Sequence, residues 1–193
     1  MESTLRLFAA VGLPGELKAS LGEWMHRMKG TVPFRKWVHP EDLHITLQFL
    51  GEVGASRSRE IEQALEVTAA RSRPFQLQLG SIGTFGKTSA PSILWVGLSG
   101  ELEELRVLHE QVEKAMSGVG FQAEERKFQP HITLARTYQG IHSWDREQQI
   151  NTSLPEACLV PWQTDQLILY RSRLGHQPMY EPVRIYALNH ADE

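Results

Sequence analysis

The chain has 193 residues, of which 41% are hydrophobic and 22% charged, and its formal net charge is -3 at pH 7. These values are ordinary for a soluble globular protein, and the length is enough for one domain with a buried core. The slightly acidic charge excludes a protein that coats nucleic acid by bulk electrostatics, because such proteins carry a basic excess.

The first half of the chain predicts alternating strands and helices, read from apolar periodicity and from glycine and proline breaks. The predicted elements are a strand over 5–13, a helix over 14–28, a strand over 44–51, a helix over 56–71 and a strand over 75–79.

The second half predicts a similar succession. Its elements are a strand over 92–98, a helix over 101–116, a strand over 131–137, a helix over 143–152, and strands over 167–170 and 183–188. We interpret the repeated order as an internal duplication, which would give two lobes that share one groove.

The tetrapeptide His-Ile-Thr-Leu occurs twice in this pattern, beginning at His44 and at His131. Side chains alternate between the two faces of a strand, so His44 and Thr46 share one face, as do His131 and Thr133. Each histidine and its threonine have Cα atoms about 6.7 Å apart. Two such strands facing one another could therefore enclose a phosphate group.

These residue types can perform acid–base chemistry on phosphate. An imidazole has a pKa near 6.5, so one histidine can accept a proton while the other donates one. Threonine hydroxyls can donate hydrogen bonds to phosphate oxygens. We predict no metal and no cofactor, because there is no His-Glu-x-x-His motif and the carboxylates of Glu41 and Asp42 have no counterpart beside the second motif.

A single His-x-Thr in an apolar strand more often has a structural role, but two identical copies at half-chain spacing favour catalysis. The other histidines are predicted to be surface or packing residues: His26, His39, His109, His142, His176 and His190. Trp37 and Phe49 could stack on a nucleobase, although core packing is the commoner role. Strict alternation predicts that Phe49 points away from the His44 face.

The compartment is predicted from cysteine content and hydropathy. Cys158 is the only cysteine, which excludes an intramolecular disulfide and a cysteine-rich metal site. Neither a signal-peptide pattern nor an apolar run of roughly 20 residues is visible. We expect a cytoplasmic protein without membrane contact, and its small size and single cleft favour a monomer.

Residues 34–51 (FRKWVHPEDLHITLQFLG) and 128–136 (FQPHITLAR) resemble the two signatures of the two-histidine (2H) phosphoesterases. The likeness is to the RNA 2',3'-cyclic phosphodiesterases, the LigT-like proteins also named 2'-5' RNA ligases. It extends from residues 7–10 to residues 169–172. It implies an α+β fold with two pseudo-symmetric lobes, each an antiparallel sheet with outer helices, and an active-site cleft between them. Residues 1–193 would then form a single two-lobed domain.

The resemblance also implies roles for the motif residues. His44 would donate a proton to the departing 3'-oxygen, and His131 would activate water against the cyclic phosphate, leaving a 2'-phosphate end. Thr46 and Thr133 would hold phosphate oxygens. Arg136 would assist them, although strict alternation places it opposite His131 unless the strand ends or twists. Residues 175–180 depart from the family's Gly-Pro-x-Tyr pattern, so no substrate contact is inferred there.

Three functions are compatible with this site. The favoured one is metal-independent hydrolysis of RNA 2',3'-cyclic phosphate ends, with small cyclic nucleotides as further candidate substrates. The second is a ligase that joins such an end to a 5'-hydroxyl, since microscopic reversibility allows the same residues to act. The third is a non-catalytic binder of RNA ends.

Overall fold

The computed structural model describes residues 3–145 and 154–189. Within them the chain forms nine strands and three α-helices. The strands are β1 (Thr4–Gly12), β2 (Phe34–Trp37), β3 (His44–Gly54), β4 (Phe75–Lys87), β5 (Ala90–Gly100), β6 (Ile132–Tyr138), β7 (Trp162–Thr164), β8 (Gln166–Ser172) and β9 (Tyr180–Ala187). The helices are α1 (Gly15–Lys29), α2 (Ser58–Ala70) and α3 (Leu102–Gly118).

The strands form two antiparallel sheets, one per lobe. The first sheet has the order β3-β1-β8-β9 and the second the order β2-β6-β5-β4-β7. Every adjacent pair of strands is antiparallel. The predicted α+β fold with two antiparallel sheets is therefore confirmed.

Each sheet contains strands from both halves of the sequence. The N-terminal half supplies β1 and β3 to the first sheet, but its β2 and β4 belong to the second. The C-terminal half supplies β6 and β7 to the second sheet, whereas its β8 and β9 belong to the first. Strand β5 spans the middle of the chain. The lobes are thus not successive halves of the chain, and each motif strand relies on a strand from the other half to complete its sheet.

The three helices pack outside the sheets. Helix α2 contacts β8 and β9, while α3 contacts α2, β3 and β4. Helix α1 buries Leu17, Leu21 and Trp24 on one side, as the spacing of 3.6 residues per turn requires. None of the helices that the structure describes is long and apolar enough to cross a membrane.

Several boundaries differ from the predictions. The short edge strands β2 and β7 were not predicted, because three or four residues give too little periodicity to recognise. Strand β4 extends to Lys87, beyond the predicted end at 79. Most of the helix predicted over 143–152 lies outside the described residues, and 143–145 are not helical.

Both motif strands carry a β-bulge directly after the motif threonine. Thr46 lies opposite Ala10 and Gln48 opposite Ala9, so β3 contains one residue more than β1 at this point. The second motif repeats this arrangement. Thr133 lies opposite Trp95, whereas Ala135 lies opposite Leu94. A bulge makes two consecutive residues face the same side and so reverses the alternation beyond it.

Candidate active site

The first motif places His44 at the start of β3, directly after a short 3-10 turn over Pro40–Asp42. Its Nδ1 donates to the backbone carbonyl of Asp42 at 2.7 Å. A carbonyl can only accept, so Nδ1 carries the proton and a neutral ring presents a lone pair at Nε2. The Thr46 hydroxyl lies 2.9 Å from that Nε2. The histidine and threonine are therefore in direct contact on one face, as predicted.

The second motif repeats this geometry in the other lobe. His131 directly precedes β6, and its Nδ1 donates to the backbone carbonyl of Gln129 at 2.6 Å. In both motifs the acceptor is the carbonyl two residues before the histidine. Both imidazoles are thus held through Nδ1 by a backbone carbonyl, with the Nε2 atom on the opposite side of the ring.

The two motifs meet at one cavity of about 580 Å³, which we call the first cavity. Its walls include all five predicted site residues: His44, Thr46, His131, Thr133 and Arg136. Strands β3 and β6 are in contact beneath it. A larger cavity of about 770 Å³ lies between α2 and α3 and contains none of these residues.

The two bulges determine which of the side chains after each motif point into this cavity. Leu47 and Gln48 are both buried, so Phe49 returns to the His44 face, and it is 60% exposed. The prediction that Phe49 points away from His44 is therefore wrong, because alternation was applied through a bulge. The second bulge likewise brings Arg136 to the face of His131. Phe49 and Arg136 occupy equivalent positions, each five residues after its histidine.

Aromatic rings fix the orientation of both histidines. The His44 ring lies 4.9 Å from Phe8 and 5.1 Å from Tyr180, the latter edge-on at 89°. The His131 ring lies 5.0 Å from Phe85, edge-on at 88°, and 6.4 Å from Trp95. Tyr180 and Phe85 also line the first cavity, and the sequence did not indicate either.

Gly83 makes room for the Trp95 ring. A Cβ atom at this position would lie 2.3 Å from Trp95 Cζ2, a distance that no real contact tolerates. A side chain at position 83 would therefore displace the ring that lies beside His131.

Asp42 is the most consequential residue that the sequence did not reveal. Its carboxylate is buried, at 6% exposure, and accepts backbone hydrogen bonds from Met179 and Tyr180, both at 2.8 Å. The divergent segment 175–180 is thereby attached to the first motif, with Tyr180 against His44. The only signal in the sequence was that Asp42 lies two residues before His44.

Burial disfavours the charged form of both imidazoles. Loss of solvation lowers the pKa of His44 to about 4, against the opposing effects of the Asp42 carbonyl and carboxylate. Burial also lowers the pKa of His131, and the hydrogen bond to Gln129 opposes this while Arg136 adds to it. At neutral pH the site therefore holds two neutral rings beside the Arg136 guanidinium, and Arg126 and Lys127 also line the cavity, which suits a negatively charged ligand.

Two of the other histidines make structural contacts. His39 accepts a hydrogen bond from the Glu41 N–H and caps the 3-10 turn. His109 is buried and stacks on Phe128, with centroids 3.9 Å apart. Across residues 3–145 and 154–189, no three His, Cys, Asp or Glu side chains cluster in a way that could hold a metal.

Comparisons with known proteins agree with this geometry. A sequence model of the 2'-5' RNA ligase superfamily matches residues 17–175. An RNA 2',3'-cyclic phosphodiesterase of Geobacillus stearothermophilus is 38% identical over 94% of this chain, and the match spans 56% of that protein's length. One from Bacillus subtilis strain 168 is 32% identical over 81% of this chain and 82% of its own.

Solved structures share the fold across almost the entire chain. Escherichia coli LigT complexed with 3'-AMP aligns over 97% of this chain and all of its own, with a TM-score of 0.73 and 26% identity. The protein TT0787 of Thermus thermophilus gives a TM-score of 0.76 at 25% identity, again over 97% of this chain and all of its own. From the match over residues 17–175 and the shared fold, this chain belongs to the 2'-5' RNA ligase superfamily.

Proposed function

We propose that this protein hydrolyses RNA 2',3'-cyclic phosphate ends to 2'-phosphomonoesters by acid–base catalysis with His44 and His131. The observation that carries the proposal is the matched pair of imidazoles on one cavity, each held through Nδ1 by a backbone carbonyl. The names of the related phosphodiesterases support the same substrate class.

In the proposed reaction, His131 Nε2 takes a proton from water as the water oxygen attacks phosphorus. The bond from phosphorus to the 3'-oxygen breaks, and protonated His44 gives its Nε2 proton to that oxygen. The products are a 2'-phosphate and a 3'-hydroxyl. Thr46 and Thr133 would donate hydrogen bonds to the non-bridging oxygens, and Arg136 would balance the charge that builds there.

The lowered pKa of His44 bears on its role as acid. With a pKa of about 4 the empty enzyme holds little imidazolium at neutral pH. A bound phosphate beside Nε2 would stabilise the protonated ring and raise the pKa, because an opposite charge favours the charged form. The Asp42 carboxylate acts in the same direction on His44, whereas no carboxylate is among the groups that shift the pKa of His131. The assignment of His44 as the acid rests on the resemblance of its motif to the first signature of the two-histidine phosphoesterases.

The test is turnover of a short RNA that ends in a 2',3'-cyclic phosphate, measured with a chelator present. We expect a product that has gained one water and carries a 2'-phosphate. His44→Ala and His131→Ala should each lose about 10² to 10⁴ in rate. His26→Ala, which alters an exposed histidine on α1, is the matched control.

Two outcomes would refute the proposal. The first is a wild-type rate in either motif variant, and the second is stoichiometric binding of the RNA without turnover. Adding a 5'-hydroxyl RNA separates hydrolysis from ligation, because a longer product linked 2' to 5' would identify the ligase named by the superfamily.

A further inference from the structure

A second cavity, of about 510 Å³, adjoins the reaction centre on the side of β2. It shares His44, Thr133, Arg136 and Tyr180 with the first cavity. The two cavities thus extend in different directions from one phosphate site, and their linings differ in chemistry.

The second cavity is strongly basic. Its charged lining comprises Lys29, Arg35, Lys36, Arg136 and Asp42. The single carboxylate, Asp42, already accepts two backbone hydrogen bonds. Within the described residues, no ion pair involves any of the four cations of this lining. The second cavity therefore has four cations in its lining against one carboxylate, an excess of positive charge.

Two of these cations lie directly opposite each other. Lys36 on β2 pairs with Arg136 on β6 in the antiparallel register. Like charges at directly opposed positions destabilise a sheet. An anion bound between the side chains of Lys36 and Arg136 would remove this repulsion. Arg136 already faces the catalytic phosphate site, so Lys36 offers the next anion position along the same wall.

The first cavity combines exposed aromatic rings with a smaller excess of positive charge, since its charged lining comprises Arg126, Lys127, Arg136 and Glu124. Phe49 is 60% exposed there, and Phe85 and Tyr180 lie on the walls. Exposed aromatic rings beside a phosphate site are suited to stacking on a nucleobase.

The shape of a terminal nucleotide matches this division. A 2',3'-cyclic phosphate bridges one edge of the ribose, and the base leaves from C1' on one side of that edge. The 5' carbon, which carries the rest of the RNA, leaves from C4' on the other side. With the cyclic phosphate at the histidines, base and chain must point in different directions.

We propose that the second cavity binds the phosphodiester group on the 5' side of the terminal nucleotide, while the first cavity takes the terminal base. The inference rests on the proposed function and adds a direction for the RNA strand. Lys36 is the residue that would contact the upstream phosphate, while Arg35 adds positive charge to the same cavity. This contact makes the enzyme prefer an RNA end over a free cyclic nucleotide.

The test compares uridine 2',3'-cyclic phosphate with a trinucleotide that ends in the same group. We expect the wild type to have a higher kcat/KM for the trinucleotide. Lys36→Ala should reduce the trinucleotide value about tenfold more than the mononucleotide value, as expected for loss of one charged phosphate contact. It should also reduce the salt dependence on the trinucleotide by roughly 0.7 in the slope of log kcat/KM against log salt.

Two variants complete the design. Arg59→Ala removes an exposed cation on α2 that lines neither cavity, and it should match the wild type on both substrates. Phe49→Ala should lose about tenfold on both substrates alike, because both carry the terminal base.

The outcomes separate this inference from the function on which it rests. Equal losses on both substrates in Lys36→Ala, or equal wild-type kcat/KM for both, would overturn the strand direction and leave the proposed hydrolysis intact. A length-dependent loss in Phe49→Ala instead of Lys36→Ala would mean that the chain enters the first cavity, which also overturns the inference. Failure of the wild type to turn over either substrate would refute both.

Discussion

Replacing Asp42 with alanine should destabilise the protein far more than an ordinary surface substitution. The carboxylate is 6% exposed and accepts two backbone hydrogen bonds of 2.8 Å, from Met179 and Tyr180. Hydrogen bonds to a charged group contribute about 1.5 to 3 kcal/mol each. Water entering the vacated space would compensate part of the loss, so we expect a fall of about 2 to 4 kcal/mol in the free energy of unfolding.

The neighbouring carboxylate provides the control. Glu41 is on the same turn, but its side chain is 62% exposed and lies 3.5 Å from Lys18. An ion pair whose carboxylate is this exposed contributes about 1 kcal/mol or less, so Glu41→Ala should have a small effect. Urea denaturation of both variants measures the difference as a shift in midpoint at constant slope. Equal stabilities for the two variants would refute the reasoning.

Asp42 should also affect catalysis through His44. Its carboxylate raises the pKa of that ring, so removing the charge in Asp42→Asn lowers it. An acid with a lower pKa is protonated over a narrower range, and the alkaline limb of the kcat profile should move to lower pH. A profile that keeps its position while stability falls would assign Asp42 a purely structural role.

Three further predictions concern pH and packing. The free energy of unfolding should fall as the pH is lowered from about 6.5 to about 4, because over this range His44 binds a proton in the unfolded chain but not when it is buried in the folded protein. His44→Gln should weaken that dependence, as measured by urea titrations at several pH values. The pH profile of kcat/KM, which reports on the free enzyme, should have its maximum below pH 6.5, since burial lowers the pKa of both histidines. The pH profile of kcat should have its maximum at higher pH, because the bound phosphate raises these pKa values. Coincident maxima would contradict this prediction. Gly83→Ala should lower the free energy of unfolding by about 1 to 3 kcal/mol and reduce turnover, because the new methyl group would move Trp95 against His131. Gly15→Ala is the control, since nothing lies within 4 Å of its new methyl group, and it should leave turnover unchanged.

The sequence predicted the proximity of the motif residues better than it predicted the sheets. Two identical motifs identified His44, Thr46, His131 and Thr133 as neighbours, because alternation along a strand is a local property. The bulges after each threonine could not be predicted, since a bulge depends on the register with another strand. For that reason Phe49 was assigned to the wrong face, and the face on which Arg136 lies depended on a bulge that the sequence did not reveal.

Contacts between distant segments were equally invisible to sequence reasoning. Asp42 and Tyr180 are 138 residues apart, and only the folded chain shows that the carboxylate of one holds the backbone of the other. The pairing of Lys36 with Arg136 is of the same kind, because β2 is too short to be recognised without its partner.

The exchange of strands between the sheets sets the order in which the active site can be assembled during synthesis. His44 is synthesised early, yet β1 can pair with its second neighbouring strand, β8, only after residues 166–172 have left the ribosome. Until then β1 has an open edge, which is a surface prone to pairing with other chains. The sheet that carries His44 can therefore be completed only after the C-terminal strands have been synthesised. Cutting the chain midway would leave two fragments, each lacking strands that the other carries.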